Sequence, residues 1–151
     1  MRNPPRLVLD TNILVAAVRS RLGPSFALMQ LIRSGRVQMC CSPALFLEYE
    51  AVLKRPTQLQ ASGLLAQDID AILNEFAGLI APIRTHYQWR PQLKDPADEM
   101  VLEAAVNAQA QALVTFNARD FGPAARFGLA VRNTAQVFVQ FQLPRNQESR
   151  P

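Results

Sequence analysis

The sequence predicts an α/β fold, a three-layer α/β/α sandwich around a central parallel sheet of four to five strands. Three observations predict it. Short strand-like runs at Leu7–Leu9, Val37–Cys41, Ala112–Phe116 and Leu129–Arg132 are separated by segments of helical periodicity, which implies crossover connections and a sheet covered on both faces. The first run is apolar throughout, as a strand buried on both faces must be. The chain has 151 residues, 49% hydrophobic and 19% charged, enough for one domain with a real core.

Taken in order, a short lead ends at Pro4-Pro5 and is followed by the strand Leu7–Leu9 and a helix over Thr11–Val18. Arg19–Gly23 is a loop. Pro24 opens a helix with Phe26, Met29, Leu31 and Ile32 as its buried positions, and Gly35 suits the position just past its end. Val37–Cys41 is the second strand. Ser42-Pro43 pairs a hydroxyl N-cap with a proline at the first helical position, and this helix runs to about Lys54, with Pro56 stopping it. Leu59–Leu65 is a short helix or loop. Asp68–Ile80 carries Ile69, Ile72, Leu73, Phe76 and Ile80 at helical spacing. Ala81–Thr85 is a third strand and Trp89–Leu93 a loop. Asp95-Pro96 starts a helix reaching about Ala110, before the strand Ala112–Phe116. Asn117–Asp120 is a turn leading into an irregular or helical piece, then a strand at Leu129–Arg132 and a helix over Thr134–Phe141. The expected organisation is a single domain over 1–142 and a polar, fraying tail over 143–151.

Several classes of function are disfavoured. No apolar run is long enough to span a bilayer and the N-terminus lacks signal-peptide character, so a cytoplasmic protein without membrane contact is expected. Cys40 and Cys41 are adjacent in a strand, point to opposite faces, and read as buried thiols. His86, the only histidine, has no ligand-spaced companion and reads as structural or surface, which leaves Ser-His-Asp and Cys-His mechanisms without support. The formal charge is +4, carried almost wholly by arginine, since Lys54 and Lys94 are the only lysines. Such a surface suits a phosphate-rich partner or an acidic protein.

With only twelve acidic residues, each position can be weighed. Asp10 follows the first strand, at the edge where open α/β folds place their sites; alternatively, Asp10 or Thr11 is only an N-cap. A 100° rotation per residue sets Glu48 on the apolar side of its helix, between Ala44 and Val52, where a carboxylate needs an arginine, a hydrogen-bond donor or a cation. Glu50 falls on the other side, in register with Lys54. Asp98 shares a face with Val101, Leu102 and Ala105, although Asp95 and Asp98 together also read as a capping-box-like start; Glu99 and Glu103 fall towards exposure. Thr115, Asn117 and Asp120 lie at the same sheet edge as Asp10, although Asn117 or Asp120 could equally cap the turn. Parallel topology lets Asp10, Asp98 and Asp120 converge, with Glu48 reaching across. Clustered carboxylates stay ionised cheaply only around a cation. Oxygen ligands without histidine or cysteine favour Mg²⁺ or Mn²⁺, and such an ion suits phosphoryl chemistry.

Four segments in order, LVLDTNILVAA, SPALFLEYEAVLKRP, KDPADEMVLEAA and ALVTFNARDF, resemble the PIN domain, and specifically the VapC-like toxin component of bacterial toxin–antitoxin systems. The resemblance spans about Arg6 to Phe141. It implies a Mg²⁺- or Mn²⁺-dependent endoribonuclease on an α/β/α sandwich. By position, Asp10 matches the first acid of the family, Glu48 the acid after the second strand, and Asp98 that of the DPxD segment. Many members have a fourth acid where this chain has Asn117, a weaker ligand, and Asp120 matches a further acid that takes its place. Thr11, Asn12, Thr115 and Asn117 then support the acids. Asp10, Asp98 and Glu48 hold the metal, Asp120 completes the cluster or orients the attacking water, and Arg19, Arg21 or Arg119 hold the RNA backbone. The resemblance also implies a homodimer and a small antitoxin partner. Two other readings compete: a PIN-like binding module that has lost catalysis, and a haloacid-dehalogenase-like Mg²⁺ phosphatase with Asp10 as nucleophile, which wants an acid where Asn12 stands.

Overall fold

The computed structural model describes residues 3–84 and 91–145. His86 and Trp89, and the ends of the third strand and the tail, lie outside them.

Each strand is short and each is followed by a helix whose start is chemically marked. β1 (Arg6–Leu9) leads through Asp10 into α1 (Thr11–Arg19), and α2 (Pro24–Arg33) begins with proline. Gly35, at φ +79°, then lets Arg36 N–H donate back to the Leu31 carbonyl (2.9 Å), which closes α2 before β2 (Gln38–Cys41). In α3 (Pro43–Leu53) the Ser42 hydroxyl accepts from Leu45 N–H at 3.2 Å. Pro56 does more than stop α3: it is the first residue of α4 (Pro56–Ser62), which therefore starts earlier than Leu59. α5 (Ala66–Ala77) starts two residues before Asp68, whose carboxylate reaches back to Leu65 N–H (2.8 Å). After the two-residue β3 (Ala81–Pro82), Asp95 caps α6 (Pro96–Ala108) by accepting from Ala97 N–H at 2.9 Å. α6 stops short of Ala110 because Gln109 turns to φ +50°. β4 (Ala112–Val114) is followed by a 3₁₀ segment (Ala118–Phe127) kinked at Phe121, then β5 (Val131–Arg132). α7 (Thr134–Gln140) opens with reciprocal Asn133 and Gln136 bonds of 2.8 Å. Just past its end, Leu143 N–H donates to the Phe138 carbonyl (2.9 Å) and Leu143 packs on the core.

All five strands are parallel, in the order β3-β2-β1-β4-β5, with helices on both faces. The molecule is the expected α/β/α sandwich. The chain lays down β1, β2 and β3 to one side, then returns through α6 to place β4 on the other side of β1. The order therefore reverses between β1 and β4, and a crevice opens beyond their C-terminal ends, which is where ligands bind in such sheets. α6 packs against β1, β2 and β4, α7 against α2, β4 and β5, and α1 against α2, α3 and α4. Leu7, Val8, Leu9, Leu102, Ala112, Leu113 and Val114 are wholly buried.

Leu102 sits where α6 meets the sheet. Leu102→Ala is expected to lower stability to urea by about 2–5 kcal/mol through lost burial and a residual cavity. Leu22→Ala, at a side chain 91% exposed, should change it by less than about 0.5 kcal/mol.

Candidate active site

Asp10 is the first residue beyond β1 and is only 7% exposed. Its N–H extends the ladder to the Val114 carbonyl (2.8 Å), so its position is set by the sheet itself. It is also the N-cap of α1: Oδ1 accepts from Thr11 N–H at 2.7 Å. The capping reading of Asp10 is correct, and it leaves Oδ2 facing away from the helix start. Oδ2 accepts from the Thr115 hydroxyl at 2.6 Å, a length typical of a hydroxyl donating to a carboxylate.

Thr115, the residue after β4, is 1% exposed, and its hydroxyl is fully committed. Oγ1 accepts from Asn117 N–H (3.0 Å) and from Asn12 Nδ2 (3.4 Å). A hydroxyl has one proton and two lone pairs, so with both lone pairs engaged the proton points at Asp10. Asn12 Oδ1 in turn accepts from Phe116 N–H (3.4 Å). Thr115, Asn12 and Asn117 are thus bonded around Asp10, Asn117 through its backbone, while Thr11 contributes its own N–H.

The other acids come from α6 and the 3₁₀ segment. Asp98 is half-buried in the first turn of α6 and makes no hydrogen bond among the described residues. The capping-box reading of Asp98 therefore fails, and Asp95 caps alone. Burial pushes the Asp98 carboxyl up from 3.8 to about 6, aided by the negative charges of Asp10, Asp95 and Asp120. Asp10 is pushed up by burial and by Asp120 and Asp95, against the lowering effect of its bonds from Thr115 and Thr11. Asp10, Asp98 and Asp120 thus come within electrostatic reach of one another. Asp95 joins them, and its part was not legible beyond its cap. Asp120 is exposed, in the first turn of the 3₁₀ segment. Glu99 is half-buried, with its carboxylate accepting from Gln92 N–H (3.0 Å) and Leu93 N–H (2.9 Å), which fastens the approach to α6. Glu103 is half-buried too, and burial pushes its carboxyl up.

Glu48 lies on α3, half-buried at the margin of a face made by Leu45, Tyr49, Val52 and Leu53. Ala44, counted as an apolar neighbour in the sequence, faces solvent, as does Ala51. Among the described residues no arginine pairs with Glu48, and its charge is not among those acting on Asp10 or Asp98. Glu50 meets Lys54 at 2.9 Å as the spacing predicts, and Lys54 also reaches Asp70. The neighbour of Glu48 was overlooked. Tyr49 is wholly buried, and its hydroxyl donates to the Leu9 carbonyl at 2.5 Å. A buried tyrosine on a helix of this kind must find such a partner, which is the signal that was available.

Of the three arginines considered for a polyanion, Arg119 lies beside Asp120. Arg19 is at the far end of α1, about 13 Å along the helix from Asp10, and donates to Gln58 Oε1 at 2.7 Å. Arg21 lines a cavity of about 410 Å³ between α2 and α7, lined also by Phe26, Phe138 and Arg145, with none of the acids in its wall.

A PIN domain model matches residues 6–119. The chain belongs to the PIN-domain family. PIN domains are usually nucleases, so the fold is of nuclease type. The matched stretch includes Asp10, Glu48 and Asp98 and stops one residue before Asp120. A comparison with curated proteins gives no significant match. No helix among the described residues is long and apolar enough to cross a membrane.

The donor chemistry fits a hard cation: oxygen donors only, one of them raised first by burial and then by the negative charges around it. Among the described residues no three His, Cys, Asp or Glu side chains stand close enough together to hold an ion by themselves. Mg²⁺ needs less, since one or two carboxylates with water and substrate phosphate are its usual set.

Asp98 gives a pH signature. Its carboxyl binds a proton more readily folded (about 6) than in an ordinary setting (3.8). The stability it contributes is therefore full below about pH 4 and lost as pH rises through 6. In chelator, Asp98→Asn should melt above wild type at pH 7, with the gap closing as pH falls to 4. A gap independent of pH would contradict the assignment.

Proposed function

We propose that this chain is a Mg²⁺- or Mn²⁺-dependent endoribonuclease and the toxin of a type II toxin–antitoxin pair. The observation that carries the reading is the buried Asp10 carboxylate at the β1/β4 crevice, aimed by a hydroxyl with no freedom left, with the charges of Asp120 and Asp95 acting on it and its own charge acting on Asp98. A phosphodiester needs such a site: its own charge repels nucleophiles, and a carboxylate pocket admits it only together with a cation.

Asp10 and Asp98 hold the ion, directly or through water, with Glu48 and Asp120 completing the set. When bound, the ion neutralises phosphate charge and lowers the pKa of water. The Thr115 hydroxyl and Thr11 N–H favour the ionised form of Asp10 against its burial and fix its direction, so little reorganisation is needed as charge develops. Asp120, exposed at the rim, orients the attacking water. Arg119 holds the backbone beside the scissile bond, and Arg19 and Arg21 serve a longer strand. In-line attack leaves a 5′-phosphate and a 3′-hydroxyl. Asn117, an amide in the place of a fourth acid, favours one ion over two. The active unit is 1–142, a homodimer in the cytoplasm, restrained by a small antitoxin that covers the acidic crevice.

The absence of a three-carboxylate cluster among the described residues, together with Asn117, favours one second reading, a PIN domain that binds a partner without cutting. A phosphatase is not favoured, because Asn12 spends its amide on Thr115 and Phe116.

The test is cleavage of a mixed single-stranded RNA pool by wild type and Asp10→Ala, each with Mg²⁺, Mn²⁺ or EDTA. Cleavage should require the metal and fall by about 100-fold or more in Asp10→Ala. Undiminished cleavage by Asp10→Ala would overturn the mechanism. No cleavage by folded, antitoxin-free wild type would favour the binding module.

A further inference from the structure

The carboxylate site stands on a backbone that the sheet alone does not hold on both sides. Along β1 successive residues face opposite neighbours. The Arg6 carbonyl accepts from Gln111 N–H and Asp10 N–H donates to the Val114 carbonyl, both at 2.8 Å, so these residues face β4. The Leu9 carbonyl therefore faces β2. Pairing between β1 and β2 runs only over Arg6 with Gln38 and Leu7 with Met39. Beyond Met39, β2 turns to β3, where the Cys41 carbonyl accepts from Ile83 N–H at 3.2 Å. A fork is left at the end of β1, directly before Asp10, with a carbonyl that no strand satisfies.

Tyr49 fills that fork. Its ring is wholly buried, its hydroxyl donates to the Leu9 carbonyl, and the Cys41 thiol lies beside the same hydroxyl. A buried carbonyl without a donor is costly, so the contact is strongly specified. Tyr49 also adjoins Glu48 on α3. One hydroxyl thus connects the strand that leads into Asp10 to the helix that carries Glu48.

We infer that Tyr49 is a positioning residue: its hydroxyl fixes the end of β1 and, through it, the Asp10 carboxylate relative to α3. The inference rests on the reading of the acids as a cation site. It is not one of the hydrogen bonds to Asp10 itself, and it acts only through the peptide before it.

The test is Mn²⁺ affinity of the purified full chain by calorimetry, alongside kcat and KM on single-stranded RNA. Tyr49→Phe keeps the ring and removes only the hydroxyl. It should weaken Mn²⁺ binding about 10–100-fold, the usual effect of losing a group that orients a ligand, and lower kcat with KM for RNA little changed. Val52→Ala, three residues further along the same helix and buried, should lower the melting temperature while keeping Mn²⁺ affinity. Wild-type Mn²⁺ affinity in Tyr49→Phe, or an equal loss in Val52→Ala, overturns the inference and reduces Tyr49 to packing. Asp10→Ala separates the two levels. If it binds Mn²⁺ as wild type does, the cation site is wrong and the role of Tyr49 falls with it; if it does not while Tyr49→Phe does, only the role of Tyr49 falls. A second measurement avoids any folding defect. Tyr49 and Tyr87 are the two tyrosines, so 3-fluorotyrosine in a Tyr87→Phe chain reports Tyr49 alone. Its fluorine resonance should shift on Mg²⁺ titration and saturate at the Kd that calorimetry gives for Mg²⁺ on the same chain. An unmoved resonance overturns the coupling.

Discussion

The hydroxyl of Thr115 and the carboxylate of Asp10 meet across the one place where the sheet reverses its order. Much of the site depends on that contact. It joins the ends of two neighbouring strands that are far apart in the chain, and it exists only when β1 and β4 are in register. Asn12 and Asn117 hold the hydroxyl from the other side, so the direction of its proton is decided before any ligand arrives. Two amides, one hydroxyl and one acid thus form a small polar frame in a region otherwise filled by Leu9, Ile13 and Val114. Such a frame costs little because each buried polar atom in it has a partner.

Around that frame the fold gathers negative charge and leaves part of it uncompensated. In a chain of formal charge +4 this is a local inversion, produced by topology rather than composition. Helix starts and strand ends meet at one edge, and both favour acids, one for its dipole and the other for its cap. Asp95 caps, Asp98 does not, and the difference between them is the difference between an acid employed by its helix and one left available. The Asp98 carboxyl is raised first by its burial and then by the acids around it, which is where the cost of gathering them falls.

Much of this was legible in the sequence. Apolar runs gave the strands of the centre, and Ser42-Pro43 and Asp95-Pro96 marked two helix starts to the residue. Asp10, Asp98 and Asp120 were recognisable because acids are few and each closed an apolar run or opened a helix. The errors have local causes. Ala44 counted towards an apolar face although small residues sit as easily in solvent, and this made Glu48 look more enclosed than it is. Pro56 read as a stop because a proline that ends one helix and one that begins the next are the same residue when the turn is short. Tyr49 stayed hidden because its role depends on where β1 and β2 part, a property of pairing that a single chain does not display. The extra charge of Asp95 was invisible for a similar reason: capping explained it fully.

The sheet tapers. Its inner strands β1 and β2 have four residues each, while the outer strands β3 and β5 have two, and one of the two in β3 is Pro82, which has no N–H to offer. Neither flank presents a row of free donors and acceptors long enough to template a further strand. Among the described residues, both flanks thus offer little backbone for the sheet to grow into a second molecule, which guards a chain that is 49% hydrophobic against edge-to-edge aggregation. Along those edges, helices and loops present the wider surface for contact.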